Sequence, residues 1–241
     1  MERIPTKRLI YEFDRKFDRF NGQKKTNLRL EDKLNILNEA QMILFEKRVA
    51  LAEINDEYRN SLRPFEEKEN SLKIIGRKSK YIISAYPKGF YKLLRQRGIA
   101  TKDCDTPKKE LQILMFQSDK INAALKNPFW KPSYEWEHII GDEGSEGFYS
   151  WHNNEFKIEE VIVDYYRRPD ELHCASMAPN GQYEDWNGVL RKKDVNCEFS
   201  QNFDHRNLVD IGVLLARADQ GDLRDLKTSI DALTSIENIK F

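Results

Sequence analysis

Glu155-Phe156-Lys157 is a Glu-x-Lys triplet on a segment with strand character, and Asp142 precedes it. Two carboxylates followed by a lysine can hold a divalent ion and orient an attacking water, which is the chemistry of metal-dependent nucleases. The triplet is short, and 33% of the chain is charged, so such a pattern arises readily by chance. The histidines offer little more. His138, His152, His173 and His205 are scattered, and none lies three or four residues from another His or Cys. The adjacent pair His173-Cys174 would point to opposite faces of a strand, a poor chelate. Asp142, Glu143 and Glu146 could suggest a cation site, but their spacing does not fit an EF-hand. Their strand-like flanks describe a solvated hairpin tip instead. There is no Gly-rich phosphate loop, no Gly-x-Ser-x-Gly elbow and no Cys-x-x-Cys pair. The sequence therefore leads us to expect no catalytic residue, no cofactor and no metal. A metal-dependent nucleic-acid enzyme using Asp142, Glu155 and Lys157 stands as the alternative, and a small regulatory binding protein as another.

The chain has 241 residues, enough for one good core or one core with a smaller lobe. Forty basic and forty acidic side chains cancel, which argues against a general polyanion binder. The mean hydropathy is −0.74, and no apolar run is long enough for a membrane span. Met1–Ile10 is polar and charged, unlike a secretory leader. Cys104, Cys174 and Cys197 are odd in number and widely spaced, which reads as free thiols in a reducing compartment.

The elements that would position any site are helical at both ends. Ile10, Phe13, Phe17 and Phe20 make one apolar stripe. Residues 28–62 read as a long helix, capped by Asn27 and closed by Pro64, with Leu30, Leu34, Leu37, Gln41, Leu44 and Leu51 near one face. A strand or hairpin is expected over 73–85 and a helical turn over 90–97. A strand follows at 110–116 and a short helix at 119–126. Residues 134–140 and 147–152 read as a hairpin, and 156–166 as a further strand carrying Val161-Ile162-Val163. Residues 169–200 are irregular, with a short strand at 195–199. Helices over 205–218, with Asp204 as cap, and over 223–236 complete the pattern. Helices at the two ends must meet to bury their faces, so Leu34, Leu37, Leu44, Leu208, Ile211 and Leu215 are expected to share one core. The expected fold is α+β: a helical bundle from N- and C-terminal helices with an inserted antiparallel β-rich lobe. It is read as one unit, with 1–66 and 201–241 helical and 67–200 the insert.

Phe129, Trp130, Tyr134, Trp136, Phe148, Tyr149 and Trp151 concentrate aromatic surface in that insert. Aromatics dominate both hairpin cores and oligomer interfaces, and without interleaved basic runs those uses outrank base stacking. Arg95, Arg97, Arg167 and Arg168 are the best candidate basic contacts.

Three segments together carry a family resemblance. They are Asp32-Lys33-Leu34-Asn35-Ile36-Leu37-Asn38-Glu39-Ala40-Gln41, Pro87-Lys88-Gly89-Phe90-Tyr91-Lys92-Leu93-Leu94 and Asp164-Tyr165-Tyr166-Arg167-Arg168-Pro169, followed by the helix at 205–218. In this order they resemble the head-to-tail connector, or adaptor, proteins of short-tailed bacteriophages, most of all the neck and tail-tube ring proteins of crAss-like phages. The resemblance implies a structural virion protein without catalytic activity. Copies would form a ring, typically dodecameric, below the portal and beside neighbouring tail ring proteins. The ring would line the channel that genomic DNA crosses on ejection, and would assemble in the host cytoplasm before residing in the neck or tail of the virion. It implies an interface built from Ile236, Ile239 and Phe241 of the C-terminal tail, with Tyr165, Tyr166, Arg167 and Arg168. Residues 176–196 match nothing in that pattern.

Overall fold

The computed structural model describes residues 3–21, 28–102, 107–185, 187–200 and 204–219. The chain divides into two compact units, residues 1–64 with 169–241, and Phe65–Arg168.

The first unit is built on three helices. α1 (Thr6–Asn21) buries Leu9, Ile10, Phe13 and Phe17, and the Phe13 and Phe17 rings stack 5.5 Å apart. α2 (Leu30–Leu51) buries residues on more than one face, among them Leu34, Ile36, Leu37, Ala40, Leu44, Phe45 and Val49. A helix with so wide an apolar surface must be covered by more than one neighbour. α5 (Asp204–Asp219) supplies Leu208, Val209, Ile211, Val213 and Ala216, and packs on both α1 and α2. Gly212 makes the three-helix contact possible. A Cβ there would lie 3.3 Å from Leu37 Cδ2 and 3.5 Å from Phe13 Cδ2. Of the six residues expected to share a core, Leu34, Leu37, Leu44, Leu208 and Ile211 are buried, and Leu215 is half-buried.

The helix expected over 28–62 is two helices. α2 ends at Leu51, and Asn55 leaves helical geometry and caps α3 (Asp56–Ser61), its Oδ1 accepting from Glu57 N at 2.9 Å. An Asn that caps a new helix start interrupts the preceding one, whatever the apolar spacing across it. The expected cap Asn27 and the expected helix over 223–236 lie outside the described residues.

Polar side chains stitch the returning chain to α2. Asn38 accepts from Leu172 N at 2.6 Å and donates to Leu172 O at 3.3 Å, and Gln41 donates to Asp170 O at 2.8 Å. Two short antiparallel ladders complete the unit, β1 (Arg3–Ile4) with β12 (Cys197–Ser200) and β10 (Tyr183–Glu184) with β11 (Leu190–Arg191).

The second unit is one eight-stranded sheet. Its strands are β2 (Glu66–Leu72), β3 (Ile74–Arg77), β4 (Tyr81–Ser84), β5 (Phe90–Thr101), β6 (Lys109–Met115), β7 (His138–Gly144), β8 (Gly147–Trp151) and β9 (Lys157–Arg167). They lie in the order β2-β9-β5-β6-β7-β8-β4-β3. The two edge strands, β2 and β3, are separated in sequence by Lys73 alone. The sheet must therefore curl until its edges meet, as in a small barrel. Arg77 spans the seam, its Nη1 donating to Ile158 O at 2.7 Å. Leu72, Ile82, Ala100, Leu111, Ile113, Ile139, Phe148, Ile158, Val161, Val163 and Tyr165 fill the interior.

The chain is thus not a helical bundle with an inserted antiparallel lobe. It is mixed α/β, dominated by this curled sheet, and one strand pair within it, β6–β7, is parallel. A parallel pair needs a crossover, supplied by residues 116–137 with α4 (Ile121–Lys126). Two features hid the sheet. Phe90, Leu93 and Leu94 have helical spacing, yet β5 runs through them, with Gln96, Gly98 and Ala100 on its inner face. The segment 66–72 is mostly polar because a strand of a curled sheet shows one face to solvent. The turn between β7 and β8 also shrinks to Ser145-Glu146, so Asp142 and Glu143 are strand residues. Gly147 makes that turn possible, since its φ is +149° and a Cβ would lie 2.1 Å from Ser84 O.

Candidate functional site

The three residues of the nuclease pattern do not converge. Asp142 sits in β7 opposite Tyr149 and accepts from Ser118 Oγ at 2.9 Å. Glu155 lies in the turn after β8, 4.0 Å from Lys131, and Lys157 opens β9, which is not a neighbour of β7 in the sheet. Among the described residues no group of three or more His, Cys, Asp or Glu side chains is arranged to hold a metal ion.

Two of the histidines sit against polar partners. His173 Nδ1 lies 2.8 Å from Tyr183 Oη, and His205 Nε2 lies 2.9 Å from Glu12 Oε2. Burial holds His152, His173 and His205 below the usual imidazole range, with Arg77 adding to the effect at His152 and Arg191 at His173, while Glu12 opposes it at His205. Burial also pushes the Tyr183 hydroxyl up to about 12. A small cleft of about 160 Å³ beside His173 and Tyr183 is bordered by Glu31, Asn35, Asn38 and Asp185. Asp185 is already committed, accepting from Val189 N, Asn187 N and Arg191 Nε, and these bonds hold its carboxyl below the usual range. Cys174 and Cys197 are buried free thiols, and burial raises both, Cys197 to about 12. Thiols so placed are inert. Cys104 lies outside the described residues.

The candidate basic contacts are largely neutralised. Arg97 lies among Glu69, Glu110 and Asp164 at 3.3–3.7 Å, and Arg95 lies 3.7 Å from Glu110. Arg167 Nε donates to Glu67 Oε1 at 3.1 Å, and its guanidinium covers the Phe65 ring. Of the expected interface run, Tyr165 belongs to the sheet's core, Tyr166 is buried, Arg167 is half-buried and Arg168 is exposed. Ile236, Ile239 and Phe241 lie outside the described residues.

The aromatic cluster divides by function. Tyr134 and Phe148 are core, and Tyr149 and Trp151 are half-buried against Tyr81 at 5.6 and 4.6 Å. The remaining three sit on the β6–β7 crossover. Ile121 and Ala124 of α4 anchor it to Ile140, and Phe129, Trp130 and Trp136 are left 74%, 45% and 61% exposed. Their backbone is fixed: Asn127 Oδ1 accepts from Phe129 N at 2.9 Å, Ser133 Oγ accepts from Trp136 N at 3.2 Å, and Trp130 stands edge-on to Phe116 at 5.4 Å. Rigid exposed aromatics are the side chains from which interface anchors are drawn. The sequence flagged the cluster but could not separate core from surface. That separation depends on which residues α4 and the strand alternation turn inward.

No protein-family model and no curated protein matches this chain.

Proposed function

We propose that this chain is a structural virion protein, a ring-forming head-to-tail connector that lines the DNA channel between portal and tail. Its partners are copies of itself, the portal and neighbouring tail ring proteins, with genomic DNA in transit. It works without catalysis or cofactor and resides in the neck or tail of the virion. The observation that carries this reading is the exposed crossover bearing Phe129, Trp130 and Trp136 on a fixed backbone. Burying each ring against another copy is worth roughly 1.5–3 kcal/mol before ordering costs, a small gain that a closed ring multiplies. The resemblance of three sequence segments to phage connectors motivates the choice of family. The separation of Asp142 from Glu155 and Lys157 removes the motive for the nuclease alternative.

Sedimentation and native mass spectrometry of the purified chain, alone and with its portal, test the reading. Closed cyclic oligomers, formed alone or on the portal, are expected. A chain that stays monomeric at high concentration and ignores the portal would overturn it.

A further inference from the structure

One end of the curled sheet gathers positive charge in a chain whose charges otherwise cancel. An open cavity of about 340 Å³ is lined by Arg77 and Lys78 from the β3–β4 turn, Lys102 after β5, and His152, Asn154, Glu155 and Lys157 from the β8–β9 turn. Its floor is apolar, made by Ile82, Phe156 and Ile158. Four cations thus face one carboxylate, and that carboxylate already lies 4.0 Å from Lys131. Lys102 lies 3.7 Å from Glu135. Arg77, Lys78 and Lys157 have no carboxylate within ion-pair distance among the described residues, whereas Arg97 has three.

The cavity wall is pinned. Arg77 is fixed by its bond to Ile158 O at 2.7 Å. In the facing turn His152 N donates to Lys80 O at 2.8 Å, Asn153 Nδ2 donates to Pro132 O at 2.9 Å, and Asn153 Oδ1 accepts from Glu155 N at 3.1 Å. Asn154 adopts a left-handed φ of +66°, and its N–H donates to His152 Nδ1 at 3.3 Å. A ring nitrogen that accepts leaves the proton on the other, so His152 is a neutral imidazole with Nε2–H as donor. The cavity therefore combines a guanidinium, two ammonium groups with no carboxylate in ion-pair contact among the described residues, and a neutral N–H donor over an apolar floor. A lone carboxylate could satisfy only part of this set. A tetrahedral oxyanion, with several acceptors and more than one negative charge, matches it.

We propose that this end of the sheet is a phosphate-binding site, formed by Arg77, Lys78, Lys157 and His152, for a phosphodiester backbone or for free inorganic phosphate. The site stands on the cavity alone and does not require ring formation.

Amide resonances and heats of binding of the full chain, titrated at low salt with inorganic phosphate, a short DNA duplex or polyglutamate, test it. The pair Lys78→Ala/Lys157→Ala removes charge from exposed side chains and should keep the wild-type melting temperature, whereas Arg77→Ala also cuts the seam. Phosphate should shift the amides of Arg77, Lys78 and residues 154–157, and the lysine pair should weaken binding at least tenfold. If DNA is the source of the phosphate, the duplex competes with inorganic phosphate, and the salt slope of its affinity falls by about 1.8 in the double variant. If free phosphate is the source, the duplex does not compete. No shift with millimolar phosphate, an unchanged affinity in the double variant, or tighter binding of polyglutamate than of either phosphate form would overturn the assignment.

Discussion

Asp204→Ala should be the most damaging single polar substitution in the helical unit. Asp204 opens α5, and its Oδ1 lies 2.6 Å from Arg48 Nη2 of α2, with the two side chains only 4% and 5% exposed. The Arg48 guanidinium also lies 4.7 Å over the Tyr58 ring of α3, so one cation joins three helices. Removing Asp204 takes a short charge-assisted bond away from a buried guanidinium, and breaking a buried pair in this way costs about 3–5 kcal/mol. Loss of a negative charge at a helix start contributes about 0.3–1 kcal/mol of that. Against a typical domain stability of roughly 5–15 kcal/mol the change is large, on the order of 10 °C in melting temperature. Urea denaturation followed by circular dichroism measures it, with the m-value expected to hold. Replacing both partners together, Arg48→Met with Asp204→Leu, should recover most of the loss, since a packed apolar pair carries no desolvation penalty. An Asp204→Ala loss below about 1 kcal/mol, or a double variant no better than the single, would refute the reasoning.

Leu44 is 1% exposed in the α2 face, so Leu44→Ala should cost about 2–5 kcal/mol in the same urea experiment. The buried His205 should make stability fall in acid. Burial lowers its folded pKa below the ordinary 6.5, so the unfolded chain binds the extra proton first and the stabilisation present above 6.5 is lost as pH drops below it. His205→Gln should flatten that part of a stability-against-pH curve. The combined change Phe129→Ser/Trp136→Ser should leave the monomer's stability within about 1 kcal/mol and abolish assembly, read by melting temperature and by sedimentation.

The helical ends were legible because their apolar residues recur at helical spacing, and Leu34, Leu37, Leu44, Leu208 and Ile211 are buried. The strands at 110–116 and 156–166 were legible from alternation and β-branched runs. Long-range pairing was not legible. Nothing local in Glu66–Leu72 says that it pairs with β9, or that β6 and β7 run parallel through a crossover. The break after Leu51 hung on one capping residue, Asn55, within an otherwise unbroken apolar pattern. The nuclease triplet rests on sequence proximity, which substitutes poorly for sheet order, and sheet order sets Asp142 apart from Lys157. The cationic cavity is invisible in the sequence for the complementary reason: Arg77, Lys102 and Lys157 come from three separate turns or strand ends, and only closure of the sheet gathers them.

The proposed ring is tested most directly by electron microscopy of phage particles assembled with this chain. A closed ring of copies in the neck or tail is expected, with Phe129, Trp130 and Trp136 buried between subunits and DNA passing through the centre. Its absence from the particle, or its presence there as an isolated copy with those three aromatics in solvent, would contradict it.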